Sequence, residues 1–192
     1  MRGLEEKIRS EGSVLPGNIL KVGSFLNQQI DAAFMLEMGR EAAALFSDAG
    51  VTRVLTVEAS GIAYALAVAA ALDVPMVFAK KHNTANIGAE TYSASVYSYT
   101  HRTEYQIVVS REYLCADDCV LLADDFLAAG NAMNGLIDIV HQAGARLAGC
   151  TAAIEKGFQR GGDALREKGI QVMSLAVIDA MDEKNGIVFR EN

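Results

Sequence analysis

The chain predicts an α/β fold with a mainly parallel central sheet flanked by helices, and three features carry that reading. Short apolar runs of strand length, at 54–57, 76–79, 120–123, 147–154 and 171–177, alternate with helical patterns, an order that sets strands side by side and helices on their faces. Twice a strand leads into a small-residue turn and then a helix. One turn is Glu58-Ala59-Ser60-Gly61; the other, Ala128-Ala129-Gly130-Asn131, follows two adjacent acids, Asp124 and Asp125. In an open parallel sheet, ligands bind beyond the carboxyl ends of strands, where helix amino termini offer unpaired N–H groups and a positive dipole. A phosphorylated ligand whose other polar groups meet the acids is the natural occupant.

In order along the chain, 4–10 reads as a short helix ending before Gly12, and 14–22, with Pro16 and Gly17, as an extended connector. Leu26-Asn27-Gln28-Gln29 is a polar knot. Asp31 is a good amino-terminal cap for a helix over 32–49, whose apolar stripe includes Phe34, Met38, Ala42 and Phe46 and which Gly50 stops. The strand 54–57 and helix 62–72 follow. After the strand 76–79, the polar, aperiodic stretch 80–90 reads as a long exposed loop of the kind that serves as an active-site lid. Segments 93–99 and 105–109 pair as an antiparallel hairpin across His101-Arg102-Thr103. The helix after Asp124 and Asp125 spans 131–143 and is closed by Gly144. Strand 147–154 leads to Glu155-Lys156-Gly157-Phe158, a glycine-rich turn at Gly161-Gly162, a short helix over 163–168 and a strand over 171–177; Asn185-Gly186 marks a final hairpin.

With 192 residues the chain makes one domain, or one with a small subdomain. A net charge of −7 argues against a general affinity for nucleic acid or an anionic membrane and favours small-molecule partners. Cys115, Cys119 and Cys150 form no C-x-x-C pair and have no clustered histidine, so they read as reduced thiols rather than zinc ligands. The amino terminus lacks the apolar core of a signal peptide, and the alanine-rich run 62–72 is too short to span a bilayer, so a cytoplasmic protein is expected.

Asp124 and Asp125 can accept hydrogen bonds from two ribose hydroxyls or hold a divalent cation beside a phosphate; the bland alternative is a solvated acidic turn. A phospho-acceptor aspartate is disfavoured, because no acidic cluster lies near the amino terminus. Ala128 to Ala132 can form a phosphate cradle, since small side chains let the backbone close round an oxyanion and Gly130 tolerates the dihedrals required; an ordinary tight turn is the alternative. Ser60 and Gly61 can take a second anionic group. Lys80 and Lys81 are either a solvated face or a counter-charge for polyphosphate. Lys156 is either paired with Glu155 or turned into the site toward a carbonyl oxygen. His82, His101 and His141 read as surface residues.

V-L-L-A-D-D-F-L-A-A-G-N-A, from Val120 to Ala132, resembles the phosphoribosyl-pyrophosphate (PRPP) binding motif of type I phosphoribosyltransferases. E-A-S-G-I-A at Glu58 to Ala63 is similar to their pyrophosphate loop, and K-K-H at Lys80 to His82 to the start of their flexible catalytic loop. The resemblance is to the purine branch and runs along essentially the whole chain. It includes L-P-G-N-I-L-K-V-G-S-F-L-N-Q-Q-I-D near the start and A-I-E-K-G-F-Q at Ala153 to Gln159.

The resemblance implies a single domain over 1–192, with a core over about 31–155 and a small hood from about 1–30 and 156–192. It implies transfer of the 5-phosphoribosyl group from PRPP to N9 of xanthine, with Mg2+ carried by PRPP and no metal held by the protein alone. Asp124 and Asp125 would hold the ribose hydroxyls, and Ala128, Ala129, Gly130, Asn131 and Ala132 the 5-phosphate. Ser60, Gly61 and Lys81 would lie near the pyrophosphate. Leu20, Asn27 and Lys156 would bind the base, with Phe158 as a wall for its ring. A homodimer is implied too. Where many relatives carry a hydroxyl residue and a second glycine, this chain has Ala129 and Asn131, with the Asn131 amide as the replacement contact; Lys80 stands where an Arg is expected. A hypoxanthine- or guanine-preferring transferase, a purine-sensing transcriptional regulator of the same fold and a generic nucleotide-binding protein are the alternatives. For the regulator, the base-site match begins too early to leave room for a preceding helix-turn-helix domain.

Overall fold

The computed structural model describes residues 1–81, 90–98 and 103–191. Most of the 80–90 stretch, His82, His101 and the hairpin link therefore lie outside the described residues. The apolar runs assemble as a six-stranded sheet. In chain order its strands are β3 (Arg53–Val57), β4 (Met76–Ala79), β7 (Cys119–Leu127), β8 (Arg146–Lys156), β9 (Val172–Asp182) and β10 (Gly186–Phe189). Their order in space is β10-β9-β8-β7-β3-β4, parallel throughout except for the β9–β10 pair. Strands buried on both faces read as continuous apolar runs, and Val120 to Ala123 at the centre are each 0% exposed.

Helices cover both faces. On one side α1 (Arg2–Glu11), α2 (Ala32–Ala44) and α3 (Gly61–Leu72) bury Leu4, Ile8, Met38, Tyr64 and Val68. On the other, α4 (Asn131–Gln142) buries Leu136, Ile139 and Val140 against Leu122 and Val120. Two hairpins stand outside this sheet: β1 (Ser13–Leu15) with β2 (Ile19–Lys21), and β5 (Thr91–Ser98) with β6 (Thr103–Ser110). The second packs on α4 and is tied to the end of β4 by the Lys80–Val108 bridge. A seven-residue helix, α5 (Gly161–Glu167), lies between β8 and β9.

Five local expectations are corrected. The segment 14–22 is a hairpin: Leu15 pairs with Ile19 across the three-residue turn Pro16-Gly17-Asn18, in which Gly17 and Asn18 both take the positive φ (82° and 60°) that reverses a twisted ribbon. The helix from Asp31 stops at Ala44 rather than 49, and turns carry the chain to Gly50. β7 runs on through both acids to Leu127, held by pairing with β8 from Asp124 to Leu127. β8 likewise continues through Glu155 and Lys156, paired with Val177 and Ile178 of a β9 that reaches Asp182 rather than 177. Gly161 and Gly162 form the first turn of α5 instead of a loop before it. In each extended strand, pairing with a neighbour carries the backbone past the point where local hydrophobicity ends.

Candidate active site

The two acids are within a strand, and both are buried, at 6% and 5% exposure; the solvated-turn reading fails. Asp125 ties three segments together. One carboxylate oxygen accepts from the Ser60 hydroxyl at 3.0 Å, and the other from the Asn27 side-chain amide at 3.2 Å. Asn27 ends a π-helical turn, Gly23–Asn27, and Ser60 precedes α3. A carboxylate has about four acceptor directions, so Asp125 keeps capacity for ligand hydroxyls.

Asp124 accepts from the Asp125 backbone N–H at 2.9 Å. Burial, reinforced by the neighbouring Asp125 charge, pushes its carboxyl well above the usual carboxylate range, and Lys81 opposes the shift. An Asp124 oxygen and the Thr56 hydroxyl both crowd the place where a side chain at 61 would begin, which explains the glycine there. Thr56 is fully buried and its hydroxyl has no hydrogen-bond partner among the described residues. Inside an otherwise apolar run, nothing in the sequence distinguished it.

Lys81 follows β4 and is the last described residue before position 90. Its backbone N–H donates to the Glu58 carboxylate at 2.7 Å, tying the end of β4 to the turn before α3, and its ammonium lies 5.4 Å from the centre of the Tyr105 ring. Tyr105 was not singled out by sequence. Burial and the Asp124 charge raise its phenol pKa. Lys80 pairs with Val108 through both backbone groups and lines a separate concavity with Arg53 and Phe78.

A cavity of about 510 Å³ joins the 128–132 turn to Lys156, with Tyr105, Phe126 and Gln159 in its wall and Asn18 and Ile19 of the first hairpin also lining it. Gly130 has φ +86° and precedes α4, so the turn presents backbone N–H groups at a helix amino terminus. Asn131 lines the cavity, and its Nδ2 also donates to the Tyr97 carbonyl at 2.8 Å, which leaves its amide oxygen and second N–H. That contact runs to the second hairpin, which sequence spacing could not place.

Lys156 is not paired with Glu155. Successive residues of a strand point to opposite faces, and Glu155 is taken by Arg166 at 2.7 Å, while the Lys156 ammonium donates to the Asn18 carbonyl at 3.0 Å and lies 5.6 Å from the Phe126 ring centre. Burial lowers the Lys156 pKa. Leu20 is 7% exposed and belongs to the core, so its neighbour Ile19 meets the cavity instead. Phe158 packs against the core, and Phe126 is the phenylalanine lining the cavity. His141 is exposed. Among the described residues no three His, Cys, Asp or Glu side chains form a group able to hold a metal ion. The arrangement thus offers N–H donors for an oxyanion, buried carboxylates for hydroxyls and a half-buried ammonium for an acceptor.

Residues 27–180 match the phosphoribosyl transferase domain family. The chain is 54% identical over 189 residues to a protein of Heliobacterium modesticaldum named xanthine phosphoribosyltransferase, covering 98% of this chain and 100% of that one. A protein of the same name from Bifidobacterium animalis subsp. lactis is 50% identical over 189 residues, covering 98% of each. Among solved structures, adenine phosphoribosyltransferase from Giardia lamblia, complexed with 9-deazaadenine, superposes with a TM-score of 0.76 over 91% of this chain and 96% of that one. At 20% identity that likeness speaks for the fold alone.

Proposed function

The chain belongs to the phosphoribosyltransferase family, and from that premise we propose that it transfers the 5-phosphoribosyl group of PRPP to N9 of xanthine, giving xanthosine 5′-monophosphate and pyrophosphate. The observation that carries the reading is one cavity that joins the 128–132 turn to Lys156, with Phe126, the chain neighbour of the buried Asp125, in its wall. Relatives named for xanthine, at about half identity across nearly the whole chain, support the choice of base.

In this reading the N–H groups of Ala128 to Ala132, at the amino terminus of α4, hold the 5-phosphate. Asp124 and Asp125 accept the ribose hydroxyls. Ser60 and Gly61, with Lys81, receive the pyrophosphate. Lys156 donates to a base carbonyl; an ammonium has no acceptor, so it favours an oxopurine and opposes an amino group at that position. Asn27, oriented by its bond to Asp125, has its amide oxygen and second N–H for the base. Leu20 acts from the core behind Ile19. Holding the two substrates in one geometry, with water excluded, supplies much of the rate in a transfer that needs no protein nucleophile.

The carboxylate oxygens of Asp124 and Asp125 are hard ligands that fit a divalent cation arriving with its phosphate ligands. Magnesium bound with PRPP supplies neutralisation of the departing pyrophosphate. The reading includes a homodimer, a cytoplasmic setting, and a hood of 1–30 and 156–192 over a core of 31–155. No described helix is long and apolar enough to cross a membrane.

Incubation with magnesium, PRPP and single purine bases tests the proposal through pyrophosphate release. Xanthine is expected to turn over fastest. No release with any oxopurine overturns the reaction, and faster release with hypoxanthine or guanine overturns the base assignment. Sedimentation as a monomer at assay concentration overturns the dimer.

A further inference from the structure

Helix α5 supplies none of the proposed substrate contacts, yet it is built against the turn that makes them. The Gly161 N–H donates to the Ala128 carbonyl at 3.1 Å. A Cβ at 161 would lie 2.6 Å from both the Ala129 carbonyl carbon and the Gly130 nitrogen, a backbone-to-backbone approach that only glycine permits. At its other end, Lys168 donates to the Asn134 side-chain oxygen at 3.0 Å. Asn134 in turn directs both its backbone N–H (2.9 Å) and its side-chain amide (2.8 Å) to the Gly130 carbonyl. The 128–130 turn is therefore gripped at two points from one short helix.

That helix is itself anchored in the core. Arg166 makes two hydrogen bonds to Glu155, at 2.8 and 2.7 Å, and Ser174 adds a third at 2.6 Å; Glu155 is 0% exposed and precedes Lys156. We infer that α5 is the splint of the phosphate-binding turn, with Gly161, Asn134 and Lys168 as positioning residues for phosphoribosyl transfer. This rests on the assignment of 128–132 to the 5-phosphate. A side chain at 161 displaces the turn, and misplacement of binding groups by about 1 Å is worth as much as a hundredfold.

The test is Gly161→Ala in the full chain. The Michaelis constant for PRPP is expected to rise about tenfold or more, with that for xanthine within about twofold. Calorimetry with ribose 5-phosphate, which carries the phosphate without the pyrophosphate, should weaken by the same factor, and binding of inorganic pyrophosphate should not. Lys168→Met should give a smaller loss of the same kind, which Lys168→Arg restores. A folded Gly161→Ala protein with wild-type affinity for ribose 5-phosphate overturns the inference. If that variant does not fold, wild-type ribose 5-phosphate affinity in both Asn134→Ala and Lys168→Met overturns it. Failure of the reaction assignment looks different, because the unmutated protein would then release no pyrophosphate from PRPP with any base.

Discussion

Replacing Arg166 by Met keeps the aliphatic stem and removes the guanidinium from a carboxylate that water does not reach. Glu155 is 0% exposed and accepts three hydrogen bonds, two from Arg166 and one from the Ser174 hydroxyl. Arg166 also reaches the Val172 carbonyl and Asp163, both at 3.3 Å, so its loss frees α5 from β9 as well. Removing one partner of a buried ion pair leaves an uncompensated charge and costs about 3–5 kcal/mol; the lower end applies, because the Arg166 side chain is 33% exposed and water can follow it in. For a chain of this size, about 3 kcal/mol lowers Tm by roughly 6–12 °C. Denaturant unfolding of Arg166→Met, Glu155→Gln and the double variant forms a double-mutant cycle. The double variant should recover much of the single variant's loss, since no charge is then stranded. An Arg166→Met protein within about 0.5 kcal/mol of wild type, the usual range for an inconsequential surface change, would refute the claim that this pair secures α5.

Four further outcomes follow from the site and its surroundings. Asp124→Asn with Asp125→Asn should depress turnover by about a hundredfold or more while circular dichroism stays native, and near-normal kinetics would remove the ribose assignment. Asp124→Asn alone carries a pH signature. A carboxyl with a raised folded-state pKa contributes stability below its unfolded value and loses it as pH rises through the folded value, so the variant's stability should improve relative to wild type as pH climbs above 3.8. Initial rates over alkaline pH should show the xanthine Michaelis constant rising below pH 10.5, as the burial-depressed Lys156 loses its proton, and a flat profile to that pH argues against Lys156 as the donor. Gly162→Ala, whose Cβ would meet Glu155 and sit 2.9 Å from Arg166 Nη1, should destabilise by about 2 kcal/mol. Gly169→Ala, at φ +80° with nothing within 4 Å, should cost only the backbone strain of about 1 kcal/mol; equal losses at both sites would show that crowding at 162 is relieved.

The sequence by itself determined the α/β class, the two strand-turn-helix units and the acids beside them, because these rest on short-range signals: runs of apolar residues, small turns and helix starts. It also placed the terminal hairpin, where Asn185 and Lys184 cap Asp182 within three residues. What it could not fix were choices made by partners remote in the chain. Whether Lys156 met Glu155 or the cavity depended on Arg166, eleven residues from Glu155. Asn131 is tied to the Tyr97 carbonyl and Asp125 to Asn27, 98 residues away, and no local pattern marks either partner. The glycines at 161 and 162 read as a turn because their cause lies in the crossing of α5 over β8 and the 128–130 backbone. Local patterning sets which segments become strands and helices, but the direction and charge environment of a polar side chain are set by whichever segment the fold packs against it, and that is decided only in three dimensions.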